Sequence, residues 1–257
     1  MLSRRIPGIL FGLFCLTLAA CSGGGTETPV SPSPSTPGSS ATVYPWSFDG
    51  TSWSPAAGTT PPACPSPVVL RTPVDLSMAT SILYPGQVRT EYKPHGGFRF
   101  DRQGQSNDVT VVAPMDGMIH RGSRHIEGGH EQILVEVINP CGIMFRFDHL
   151  AELGPRLQQI MASVPLRAED SRTTFLPPGQ MISAGEVIGT RIGIPNNVGV
   201  DFGVYDLRQR NPRATRDGEF AAFGVCWFDW LPPADAATVR SLPGGDHLSG
   251  RNSDYCL

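Results

Sequence analysis

The chain has almost no lysine. Lys93 is the only one, and arginine supplies every other full positive charge. No basic run interleaves with aromatic residues, and the formal net charge is −3, so an electrostatic track for nucleic acid is missing. No pair of cysteines has Cys-x-x-Cys spacing, which argues against a thiolate zinc cluster. Ser123 and Ser183 stand outside any nucleophile-elbow context, so Ser/His/Asp chemistry has little support. Internal repeats are absent and helical periodicity is scarce. The N-terminal apolar stretch, Ile6 to Leu18, is too short to span a bilayer comfortably.

That stretch follows Arg4 and Arg5 and ends in Leu18-Ala19-Ala20-Cys21. Positive, apolar and small-residue regions in this order predict an export signal over residues 1–20. Small residues before a cysteine resemble the lipobox of bacterial lipoproteins. That resemblance implies cleavage before Cys21 and a diacylglycerol on its sulfur. In a Gram-negative cell, Ser22 after the cysteine points to the outer membrane, facing the periplasm. Residues 21–62 are rich in Gly, Ser, Thr and Pro and cannot bury a core, which predicts a flexible tether. Trp46 and Trp53 interrupt it, either docked on the domain or decorating the linker. The remainder is long enough for one domain with a sizeable core.

Cys64, Cys141, Cys226 and Cys256 remain after processing. Four cysteines in an exported domain predict two disulfides, with three possible connectivities. Cys226–Cys256 would staple the C-terminal tail, leaving Cys64–Cys141.

Short runs rich in Val, Ile and Phe predict strands over 109–113, 117–121, 133–138, 143–149, 187–192 and 200–205. Turn residues bound them at Pro114 to Gly117, Glu127-Gly128-Gly129, Asn139-Pro140 and Pro195-Asn196-Asn197. Leu153, Leu157, Ile160, Met161 and Val164 have helical spacing, and Pro232-Pro233 opens a second short helix over 234–242. Helices do not alternate with strands, so the expectation is a mainly β domain, a sandwich or barrel with one or two short helices.

Several segments then resemble the lysostaphin-type (LytM) zinc endopeptidases, in the family's order and over about Leu83 to Asp206. His95-Gly96-Gly97-Phe98-Arg99 is similar to His-x-Gly-x-Asp, with a cation in place of the carboxylate. Ala113 to Ile119 matches Ala-x-x-x-Gly-x-Val, and Phe147-Asp148-His149-Leu150 matches Tyr-x-His-Leu. Gly179 to Gly189 matches Gly-x-x-Val-x-x-Gly-x-x-Ile-Gly, and Val200 to Val204 falls where the family has Leu-His-Phe-Glu-Val. The resemblance implies an antiparallel β-sandwich of the duplicated hybrid motif type over 63–206. Residues 207–257 would form a C-terminal extension packed on the same domain.

Carried over residue by residue, the family's metal set becomes His95, Arg99 and Asp201, and its catalytic pair becomes His149 and Gly199. A guanidinium cannot ligate Zn²⁺. The expectation is therefore a damaged site, with Arg99 paired to Asp101 or Asp201 and no cofactor bound. A rebuilt ligand set, with Asp201 as a carboxylate ligand and Asp101 or His149 added, would instead give an active zinc metalloendopeptidase. Gly122 and Gly128-Gly129 place His120, His125 and His130 in a hairpin or loop, as solvated side chains. The stretch 151–178 is long for the family. It would cap the former groove or pack on the sheet edge.

Three functions follow as expectations. The first is a membrane-anchored, non-catalytic envelope lipoprotein that binds peptidoglycan or a partner cell-wall hydrolase. Degenerate members of the resembled family that activate amidases give it precedent. The second is the rebuilt peptidase. The third is a lipoyl-like transport adaptor, suggested by Ala113 to Gly117 and Gly179 to Gly189. It lacks a Met-Lys-Met carrier lysine and a heptad hairpin between the halves.

Overall fold

A glycine pair starts the sheet. Gly128 and Gly129 take φ of 57° and 81°, the left-handed values that a two-residue hairpin turn requires. Glu127 and His130 close that turn as partners across it. The computed structural model describes residues 43–101 and 106–256; the predicted signal segment, Cys21 and the first half of the tether lie outside them.

The strands are β1 (Trp46–Phe48), β2 (Trp53–Pro55), β3 (Ser81–Leu83), β4 (Gln87–Arg89), β5 (Glu91–Lys93), β6 (Gly96–Arg99) and β7 (Val111–Val112). The long strands β8 (Gly117–Glu127), β9 (His130–Ile138) and β10 (Ile143–Leu153) follow, then α1 (Pro155–Met161). The rest is β11 (Leu166–Ala168), β12 (Thr174–Phe175), β13 (Met181–Ile182), β14 (Val187–Ile192), β15 (Gly199–Asp206) and α2 (Pro233–Ser241). The protein is thus mainly β. Its principal sheet is open, with the order β11-β8-β9-β10-β15-β6-β3. β12 and β13 also pair with β8, and β14 joins β10 to β7. All these pairings are antiparallel except β11 with β8.

Strand alternation separates two faces of this sheet. One is the apolar core. Phe145, Phe147 and Phe202 are fully buried there, against Phe98 and Trp227. Phe147 stacks on Phe202 with centroids 4.9 Å apart, and Trp227 meets Phe202 edge-on at 4.9 Å. The tail aromatics therefore serve packing, and residues after Asp206 complete the core.

The second face changes character along its length. At one end Ile138, Met144 and Tyr205 pack under Trp46, Trp53 and Phe223. In the middle, Arg121, Glu136, Arg146 and Gly203 stand side by side in register on four strands. Arg121 Nε donates to Glu136 Oε2 at 2.6 Å, and Arg146 lies 4.0 Å from its other oxygen. Burial pushes the Glu136 carboxyl up, against the two guanidinium charges. Asp148 and Asp201, paired in register, mark the polar end.

The β1–β2 hairpin occupies residues expected to be tether. Trp46 and Trp53 dock: both are buried, and their indole N–H groups donate to the carbonyls of Pro140 and Glu219, each at 3.0 Å. Composition misreads this stretch because two large aromatics, not many aliphatics, hold it down. Cys64–Cys141 and Cys226–Cys256 are the two disulfides. The first ties the chain after the hairpin to the β9–β10 turn, and the second ties down the tail.

His120 and His125 correct the expectation of solvated loop histidines. Both lie within β8 and are buried, and only His130 is exposed. Gly122 does not break β8. It makes room for Met161, whose Cε would stand 2.5 Å from a Cβ at that position. The segment 151–178 packs on the sheet edge: Leu157 and Met161 of α1 enter the core, and β11 and β12 pair with β8.

Candidate functional site

The polar end of the second face is built from backbone register. Gly97 on β6 lies opposite Asp201 on β15, and Arg99 lies opposite Gly199. A Cβ at position 97 would stand 2.6 Å from the Val200 carbonyl oxygen, so only glycine lets the strands close with Asp201 turned inward. Gly199 likewise leaves space for Arg99, whose guanidinium lies over it. His149 has φ 62°, a left-handed conformation uncommon outside glycine. That conformation is fixed on both sides: Asp148 Oδ1 accepts from His149 N–H at 2.9 Å, and Gly193 N–H donates to the His149 carbonyl at 2.7 Å.

Three of the expected residues converge. His95 Nε2 stands 2.9 Å from Asp201 Oδ2, and His149 Nε2 stands 3.6 Å from the same oxygen. Burial would raise the Asp201 carboxyl, but His95, His149 and Arg89 outweigh it and hold it well below the usual range. His149 is pushed down by burial and up by Asp201, Asp148 and Glu127, and the carboxylates win. His95 is lowered by burial despite Asp201.

Arg99 goes to Asp101 rather than Asp201. Nε and Nη2 donate to the two Asp101 oxygens at 2.8 and 2.9 Å, and Nη2 also reaches Asn197 Oδ1 at 2.6 Å. The guanidinium thus closes one side of a small cavity of about 50 Å³, lined also by Glu127, Gln132, His149, Asn197 and Asp201.

Glu127, Gln132 and Asn197 carry no motif, and they reach the cavity from two turns. Glu127 and Gln132 flank the glycine hairpin, and Asn197 belongs to the turn before β15. Arg89 was equally hidden; its Nη2 donates to the His95 carbonyl at 2.9 Å.

For a metal, the donors on offer are His95, Asp201 and His149. Among the described residues no group of three or more His, Cys, Asp or Glu side chains is arranged to hold an ion. One carboxylate oxygen lies 2.9 Å from the His95 ring and 3.6 Å from the His149 ring, and Asp101, paired with Arg99, is not among the residues lining the cavity. What the arrangement can do is present fixed charges and hydrogen-bond groups of both signs to a small polar ligand. Comparison with family models, with curated proteins and with solved structures gives no significant match.

Proposed function

We propose that this protein is a lipid-anchored cell-envelope lipoprotein whose LytM-like domain is non-catalytic and binds peptidoglycan or a partner cell-wall hydrolase. The observation that carries the reading is Arg99. It stands where the resembled peptidases need a carboxylate ligand, and Asp101 and Asn197 lock it there. The fold proposed with it is the duplicated hybrid motif. Its support is the motif order along β6, β10, β14 and β15, which the open antiparallel sheet accommodates.

Loss of a metal ligand weakens binding, and loss of an imidazole at position 199 removes a group of the kind worth about 10²–10⁴-fold in rate. The two deficits act on different steps. Incubation of the protein with peptidoglycan and glycine-rich peptides, with added Zn²⁺ or with chelator, should release no fragments, while the protein sediments with sacculi or with a co-purified hydrolase. Chelator-sensitive cleavage would overturn the reading in favour of a rebuilt peptidase. The anchor is tested separately. Cys21→Ser should release the protein from membranes or leave its leader uncleaved, and unchanged fractionation and processing would refute lipidation.

A further inference from the structure

The cavity beside Arg99 is unevenly equipped. Gln132 is 1% exposed, and its side-chain Nε2 is engaged by two backbone carbonyls, Glu131 at 2.8 Å and Gly193 at 3.3 Å. That pins the amide orientation. It also leaves Oε1 buried with no donor among the described residues. A buried carbonyl oxygen without a partner costs on the order of 1–3 kcal/mol unless something supplies a hydrogen. Glu127 stands on the same wall, 3.6 Å from each of two imidazoles, His125 and His149, beyond direct hydrogen-bond reach of either. This wall asks for a cationic donor.

The opposite wall asks for an anion. Arg99 uses Nε and Nη2 on Asp101 and Asn197, and among the described residues Nη1 has no acceptor. Gly199 holds the Nη1 side of the guanidinium close to the cavity floor, 3.0 Å from where a Cβ would be. His149 sits between the walls. Its nearest carboxylates, Glu127 and Asp201, are each 3.6 Å away, so both ring nitrogens keep capacity for a ligand. The lining is preformed at a conformational cost: His149 holds a positive φ of 62°.

We propose that this cavity takes a zwitterionic amino-acid head group, its ammonium donating to Gln132 Oε1 and Glu127 and its carboxylate accepting from Arg99 Nη1 and His149. The inference rests on reading this groove as a binding site, and it names the chemistry recognised there. A simple anion would leave Gln132 Oε1 unpaired. A simple cation would leave Arg99 Nη1 unpaired and face its positive charge. The head group has two sources, a free amino acid or the free end of a diamino-dicarboxylic residue within a peptide.

The test is calorimetric titration of the processed full-length protein in detergent and chelator. The probes are glycine, N-acetylglycine, glycinamide and acetate, with a tripeptide that ends in meso-diaminopimelate. Glycine should bind, and capping either end should weaken it by about ten-fold or more, the effect of losing one charge-assisted hydrogen bond. Arg99→Gln should abolish the advantage of glycine over glycinamide while keeping that over N-acetylglycine. Gln132→Leu should do the reverse. Because the capped probes act on the unaltered protein, the result does not depend on either variant folding. Tighter binding of the tripeptide than of glycine assigns the peptide source; equal binding assigns the free amino acid. Equal binding of acetate and glycine, equal binding of glycinamide and glycine, or no heat with any probe overturns the proposal. Sacculus sedimentation without glycine binding would sink this inference alone. Glycine binding without sedimentation or hydrolase capture would sink the wider functional reading and leave the pocket standing.

Discussion

At the scale of single residues, His149 is the most informative group in the site. Its folded pKa lies above its ordinary value because Asp201, Asp148 and Glu127 outweigh burial. A raised value means that its stabilising contribution is complete below about pH 6.5, the unfolded pKa, and is lost as pH rises through the folded one. His149→Asn tolerates the left-handed backbone and removes the charge. The melting temperature of the parent protein should therefore fall relative to this variant as pH rises above about 6.5. Parallel pH curves would refute the charge assignment. The glycines make a second, paired prediction. Gly97→Ala drives a Cβ to 2.6 Å from a backbone oxygen, which cannot yield. Gly199→Ala meets only the Arg99 side chain, at 3.0 Å, and that chain can swing. Urea unfolding should show a loss of about 1–3 kcal/mol for the first and clearly less for the second.

Among the elements, the β1–β2 hairpin is the one whose role composition obscured. Gly, Ser, Thr and Pro around it read as linker, and the neighbouring residues do behave as connections. The two tryptophans, with Phe223, cover Ile138, Met144 and Tyr205 on the second sheet face. Trp53→Ala opens that cluster and removes the donor to the Glu219 carbonyl, so it should cost about 3–5 kcal/mol in equilibrium unfolding. A protein beginning at residue 62 should show a similar deficit against one beginning at residue 43. Equal stability of the two would mean that the hairpin only decorates the domain. Other elements were legible because their pattern is local. Val187–Ile192 is a strand with the boundaries its aliphatic run suggests, and Pro233 opens α2 where proline is favoured. β8 was read too short, since Gly122 passes for a breaker until Met161 is seen to fill the space above it.

For the whole molecule, the two disulfides close loops of very different size, with sequence separations of 77 and 30 residues. On the chain-entropy model the longer bridge contributes about 4.5 kcal/mol and the shorter about 3.6 kcal/mol. Replacing Cys64 and Cys141 together by Ser should thus lower the unfolding midpoint more than replacing Cys226 and Cys256. The reverse order would show that the tail, which carries Tyr255 into the core, matters through packing rather than chain restriction. The tail also shows why the aromatics beyond Asp206 belong to the domain. Two rings from the sheet, Phe98 and Phe202, have Trp227 as their neighbour on the core side.

The sequence by itself determined the β character, most strand positions, the two short helices and the presence of paired cysteines, because each depends on neighbours within a few residues. It also placed His95, Arg99, His149 and Asp201 as candidates, since motif order survives in one dimension. Only the tertiary structure decided that Arg99 turns to Asp101 and Asn197, that Asp201 lies between two imidazoles, and that Gln132 and Glu127 wall the same cavity. Those contacts join residues up to about a hundred positions apart, through strand register and through glycines whose missing side chains set the spacing. Charge partners are chosen by distance and burial, and neither is written in the order of the chain.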